Sequence, residues 1–172
     1  IPAGVIGLAG ENVIADRLGE PWQILILLGA GALLLWTADR SPQTRAMADL
    51  GLRHAVVMGF AQALALAPGV SRSGITITAG RFLKLDRDGA ARFSFFLLLP
   101  TVLGAVVLKG LKDVVFGDLP DGWTGPFVVG TLAALGSGLL AIDWLLGYVR
   151  AHTYGVFVVY RLAVAALVLL VI

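Results

Sequence analysis

The run Pro68-Gly69-Val70-Ser71-Arg72-Ser73-Gly74-Ile75-Thr76-Ile77 places one guanidinium among stretches of Ala, Leu, Val and Phe. Arginine carries a planar fork of donors suited to bidentate capture of phosphate oxygens. The hydroxyls of Ser71, Ser73 and Thr76 add further donors. Gly74 opens a short apolar segment, and the N-terminus of a helix there brings free N–H groups and a partial positive charge. The pattern is not a P-loop, because Gly-x-x-x-x-Gly-Lys is absent. The chemistry these residues suit is phosphate or pyrophosphate binding. The competing reading is that Arg72 pairs with a carboxylate of another helix and staples the fold. A charge at membrane depth costs roughly 2.5–3.5 kcal/mol and needs a partner of some kind.

The elements that must position this run are set by composition. The chain has 172 residues, 58% hydrophobic and 14% charged, with a mean hydropathy of +0.90. A soluble domain carries about a quarter charged residues, so this is an all-α integral membrane protein. The net charge of +2 comes from loop bases. No basic tract with interleaved aromatics is present, so no nucleic-acid partner is expected. The lack of cysteine excludes disulfides, thiolate catalysis and Cys-ligated metals. The chain opens on Ile1 inside an apolar stretch without a signal-peptide pattern. That opening reads as the tail of a helix, and a piece of a longer protein is the expectation.

Four segments are apolar and long enough to span: about 21–38, 93–109, 124–146 and 153–172. Trp22, Trp36, Trp123 and Trp144 fall near their ends, where aromatic belts sit. Gly130, Gly136 and Gly138, with Ser137, read as helix-packing positions, and Pro100 reads as a kink. Residues 54–83 differ. Segments 55–67 and 74–83 are each too short to cross, and Pro68-Gly69 between them cannot continue a helix. The region reads as a re-entrant helical hairpin with its tip at 70–73, tolerated only if the tip is buried in protein or lines a wet cavity. Loop charges agree: Arg40, Arg45, Arg53, Arg81, Lys84, Arg87, Arg92 and Arg150 fall on one face, against Arg17, Lys109 and Lys112 on the other. By the positive-inside rule the first face is cytoplasmic.

The stretch 59–77, Gly-Phe-Ala-Gln-Ala-Leu-Ala-Leu-Ala-Pro-Gly-Val-Ser-Arg-Ser-Gly-Ile-Thr-Ile, strongly resembles the second signature of the undecaprenyl-pyrophosphate phosphatase family of the bacitracin-resistance (BacA/UppP) type. The run 92–100 resembles that family's Phe-Ser-Phe-rich helix start, with Arg92 where glutamate is common. Tyr160-Arg161 is similar to its closing helix. The resemblance covers essentially the whole chain and the C-terminal two-thirds of the family pattern.

It implies a six-span fold with two re-entrant hairpins in inverted repeats, of which this chain carries half. It also implies hydrolysis of undecaprenyl pyrophosphate to the monophosphate with a divalent cation, magnesium or calcium, at a site open to the outer face of the bacterial inner membrane. The implied partners are the polyprenyl pyrophosphate lipid and the bilayer; homo-oligomerisation is left open. Arg72, Ser71 and Ser73 carry over as catalytic. Gln62, Gly69, Gly74, Thr76 and Arg161 carry over as substrate-binding. The family's first signature, Glu-Gly-x-Thr-Glu followed by Pro-x-Ser-Ser-Thr-Gly-His, is not in this sequence. With it go the carboxylates for the metal, so no metal ligand is assigned and the chain alone is expected to be inactive. A lipid-phosphate or anion transporter using the same re-entrant site is the alternative, since broken helices in inverted repeats also build transporters.

Other polar residues have plainer readings. Arg161 lies eight residues into the last span, either as a second phosphate ligand or paired with a polar group of a neighbouring helix. No hydroxyl cluster accompanies it in the sequence, which favours the structural reading. His54 and His152 sit at the hairpin base and in a loop, Asp143 near a span end, and Glu11, Asp16 and Glu20 in an outer loop without chelate spacing.

Overall fold

The computed structural model describes residues 3, 4, 6, 19–109 and 122–171. The loop residues Glu11, Asp16, Arg17 and Lys112 lie outside them. Among the described residues the chain is helical, with a single isolated bridge between Arg45 and Leu85. The helices are α1 (Pro21–Asp39), α2 (Leu52–Leu64), α3 (Arg72–Phe82), α4 (Arg87–Lys109), α5 (Thr124–Ala151) and α6 (Gly155–Val171), with a 3-10 turn at Met47–Asp49. α1 and α5 are long and apolar enough to cross a membrane, and α6 is equally apolar but shorter.

Each boundary follows from local chemistry. Pro21 occupies the first turn of α1, where its missing N–H is no loss. Arg40 ends that helix by donating to the Trp36 carbonyl at 2.7 Å and stacking over the Trp36 ring. The Gly51 N–H donates to His54 Nδ1 at 3.1 Å, so this histidine serves the start of α2. His152 stacks on Tyr148 at the end of α5. Asp86 accepts from the Gly89 N–H at 2.6 Å and caps α4. α3 stops in a Schellman motif: Leu85 N–H reaches the Gly80 carbonyl and Lys84 N–H the Arg81 carbonyl, with Lys84 at φ 68°.

α3 is central. It packs on α1, α2 and α4; α1 packs also on α6, and α4 on α5. Gly80 lets three elements close up, since a Cβ there would lie 3.0 Å from Met58 and 3.2 Å from Ala90. The buried core gathers Ala32 and Leu35, Met58, Ile77, Ala91, Val149 and Val158 from all six helices. The outer part of α5 stands apart. Gly130, Gly136 and Gly138 meet no described atom within 4 Å, so the helix packing expected of them is not made within the described chain. α4 runs through Pro100 without a break, and the Thr101 hydroxyl donates to the Leu98 carbonyl at 2.7 Å.

At one end of the bundle, Asp39 gathers three elements. Arg87 Nε donates to its carboxylate at 2.7 Å, the Tyr154 N–H donates at 3.2 Å, and Arg81 Nε lies 3.9 Å away. Arg81, with no exposed side-chain surface, also donates to the carbonyls of Leu85, Asp39 and Ser41. The sequence counts Arg81 as a cytoplasmic loop base; the structure instead buries it as a staple. A carboxylate at a helix C-terminus is electrostatically misplaced, and here the two arginines offset that. A second group is more exposed: Asp88 pairs with Arg92 at 2.8 Å and Arg150 at 3.0 Å.

The turn between α2 and α3 rests directly on α1. Gly69 has φ 91°, and a Cβ there would sit 2.8 Å from the Ile24 carbonyl oxygen. Both the dihedral and the space demand glycine.

Asp39→Ala should destabilise the folded protein by about 3 kcal/mol, because it strands the fully buried Arg81 and the partly buried Arg87. Asp88→Ala, whose partners are solvated, should cost under about 1 kcal/mol. Unfolding in mild detergent separates the two, and equal losses would contradict the Asp39 hub. Gly69→Ala should cost about 1–3 kcal/mol from the dihedral alone, read by the same unfolding curve.

Candidate functional site

The site is the N-terminal end of α3. Ser71 caps the helix by accepting from the Gly74 N–H at 3.1 Å, and its hydroxyl lies 3.5 Å from that of Ser73. Such a cap satisfies one of the four free amides and leaves the others available. Arg72 and Ser73 are exposed, while Gly74 is buried. The expected tip residues therefore come together, with Arg72 free to turn toward a ligand.

Arg161 reaches the same place from α6. It is 7% exposed, and its guanidinium lies between two glycines. A Cβ on Gly74 would stand 2.6 Å from Nη1, and one on Gly31 of α1 would stand 2.6 Å from Nη2. Nε and Nη2 have no hydrogen-bond partner among the described residues. The sequence argument that no hydroxyl cluster accompanies Arg161 does not hold in three dimensions, because the N-terminal end of α3 places Ser71 and Ser73 on the same cavity. Gly31 and Gly74 make the room that a bulkier residue would fill.

Thr76 faces the other way. Its hydroxyl meets Ser94 of α4 at 2.7 Å and lies 2.9 Å from the Arg72 carbonyl, with the residue 1% exposed. It locks α3 to α4 rather than presenting a donor at the tip. Gly69 likewise packs on Ile24, as above. Gln62 is buried and shares a hollow of about 250 Å³ with Arg72, Ala65 and Thr101. Ser94 is a residue that sequence reasoning passes over, although a hydroxyl between Phe93 and Phe95 in an apolar helix is a visible signal. Gly31 carries no such signal, since glycine is common in this chain.

Two further hollows flank the tip. One, of about 220 Å³, is lined by Ser71, Ser73, Gly74 and Arg161 together with apolar side chains such as Ile77, Leu145 and Phe157. The other, of about 430 Å³, is lined by Arg72, Val70 and Leu98. They share Ser73, Ser94 and Phe95, so the two hollows adjoin. Arg72 and Arg161 thus stand on either side of one helix N-terminus, an arrangement that neutralises a multiply charged anion from two directions. Among the described residues no group of three or more His, Asp or Glu is placed to hold a metal ion.

The chain matches the family model described as bacitracin resistance protein BacA over residues 1–167. Proteins named undecaprenyl-diphosphatase are among its curated relatives. That of a Nocardioides species is 44% identical over 176 residues, covering 100% of this chain and 62% of the relative. That of Gemmatimonas aurantiaca is 43% identical over 169 residues, covering 98% and 62%. That of Thermomicrobium roseum is 47% identical over 150 residues, covering 87% and 52%. The chain thus spans about three-fifths of the length of the first two relatives. With the match running through every element that builds the α3 tip, the chain belongs to the BacA bacitracin-resistance family.

Proposed function

We propose that this chain supplies the phosphate-gripping part of a membrane phosphatase that hydrolyses undecaprenyl pyrophosphate to undecaprenyl phosphate and inorganic phosphate. The observation that carries the reading is the pair of arginines, Arg72 and Arg161, flanking the Ser71-capped N-terminus of α3. Membership of the BacA family, with relatives named undecaprenyl-diphosphatase, favours hydrolysis over the transport alternative.

In this reading one water is consumed. Its oxygen attacks the distal phosphorus, the bond from that phosphorus to the bridging oxygen breaks, and the lipid-bound phosphate keeps the bridging oxygen. Phosphoryl transfer relies on positioning and on neutralising charge over the equatorial oxygens. Arg72 does this with a fork that two oxygens can share, Ser73 adds a hydroxyl, and the free α3 amides add aligned dipoles. Ser71 holds those amides in place through its cap. A divalent cation, magnesium or calcium, belongs to the proposal from the family pattern, and the described residues assign it no ligands.

The placement in the membrane belongs to the same proposal. At 1.5 Å per residue α2 and α3 are about 20 and 17 Å long, short of the ~30 Å of hydrocarbon. They form a re-entrant hairpin, one half of an inverted repeat, that enters from the arginine-rich base at Arg45, Arg53 and Lys84. By the positive-inside rule that base is cytoplasmic. The protein then lies in the bacterial inner membrane with its tip opening outward.

Full-length Arg72→Ala, assayed for phosphate release from the C55 pyrophosphate in detergent, should lose about 10²–10³ in kcat, the scale of removing one preorganised donor, with its unfolding midpoint unchanged. Turnover within threefold of the parent would remove Arg72 from the reaction. Gly74→Ala should reduce turnover at least tenfold, since its Cβ would displace both the Arg161 guanidinium and the Ser71 cap. Wild-type rates in that variant would contradict the cradle.

A further inference from the structure

Arg72 and Arg161 are not equivalent. Arg72 is exposed at the tip and faces the larger hollow. Arg161 is buried and lines the smaller cavity, whose lining is mostly apolar and includes Leu35, Ile77, Phe95, Leu145, Val149 and Phe157. A largely apolar cavity that also carries Ser71, Ser73 and Arg161 in its lining suits an amphiphile with an anionic group. The group next to the chain must then lie against Arg161. The next group outward passes Ser73 and Ser94, which line both hollows, and arrives at Arg72.

We propose that Arg161 binds the lipid-proximal phosphate, that the apolar cavity beneath it takes the first isoprene units, and that Arg72 takes the distal phosphate. The unpartnered Nε and Nη2 of a nearly buried guanidinium point to a ligand, because a buried donor without an acceptor is expensive. Gly31 and Gly74 hold that guanidinium on two sides, which fixes where the phosphate can sit. The consequence is that Arg161 and the cavity also recognise the lipid monophosphate product, which keeps the proximal phosphate and the chain. Arg72 loses its ligand when the distal phosphate leaves.

This assignment rests on the phosphatase reading for the identity of its ligand, and its test uses binding rather than turnover. Labelled C55 monophosphate and unlabelled inorganic pyrophosphate are titrated onto full-length protein in detergent micelles. Arg161→Gln should weaken monophosphate binding tenfold or more, Arg161→Lys less so, and Arg72→Gln under threefold. Leu145→Trp, which narrows the cavity without removing a charge, should weaken monophosphate binding at least fivefold and leave inorganic pyrophosphate within twofold. Monophosphate affinity that survives Arg161→Gln, or falls equally with Arg72→Gln, overturns the order of the two phosphates. Unchanged monophosphate affinity in Leu145→Trp overturns the tail site; if Arg161→Gln does not fold, Arg161→Lys set against Arg72→Gln decides the order of the phosphates, an equal loss in the two overturning it. Failure of the parent protein to release phosphate, with binding as expected, would count against the phosphatase reading and leave the binding site standing.

Discussion

The Asp39 carboxylate sets the register on which the site depends. It ends α1, receives Arg87 from the start of α4, lies beside Arg81 at the end of α3 and accepts the Tyr154 N–H that leads into α6. The tip residues are spaced from this clamp by nearly equal steps. Gly31 precedes Asp39 by eight residues, Gly74 precedes Arg81 by seven, and Arg161 follows Tyr154 by seven. Each step is two turns, about 10–12 Å at 1.5 Å per residue, and returns to the same face of its helix. Pinning three helices at the clamp therefore brings two glycines and a guanidinium together one layer away. A slip of one residue in any helix would turn its site residue by about 100°.

That layered logic explains what could be read without coordinates. The tip was legible because its parts are contiguous: Ser71, Arg72, Ser73 and Gly74 share one turn, and a serine before a helix with a glycine three residues on is a local cap. Pro68-Gly69 marks the break for the same reason. The role of Arg161 was not legible, because the hydroxyls that accompany it come from a helix nearly ninety residues earlier. Nor was the inward turn of Thr76, which is decided by Ser94 across a helix interface. Arg81 misled in the opposite direction. As a charge at the edge of an apolar segment it looks like a loop base, yet the carbonyls that bury it belong to the 39–41 and 85 backbone.

The two buried arginines show two solutions to one energetic problem. Taking a guanidinium out of water costs several kcal/mol unless charge and hydrogen bonds are restored. Arg81 is compensated internally by three carbonyls and the nearby Asp39 carboxylate, with its Nε alone left without a hydrogen bond among the described residues, so it contributes to stability. Arg161 has no carboxylate partner among the described residues and keeps donors unsatisfied. On the proposed reading its desolvation is offset when an anion arrives, which converts part of the folding cost into affinity.

This difference bears on catalysis through preorganisation. A donor already dehydrated and confined between glycines needs little reorganisation when an anion binds, whereas an exposed arginine must give up water and rotamer freedom each time. On the proposed reading, a buried Arg161 at the lipid-proximal phosphate and an exposed Arg72 at the distal one suit a reaction in which one phosphate stays on its carrier and the other departs. Confinement where the carrier is held would keep the phosphorus in line. Exposure where inorganic phosphate leaves would let the product go without unpacking the α2–α3 turn from α1.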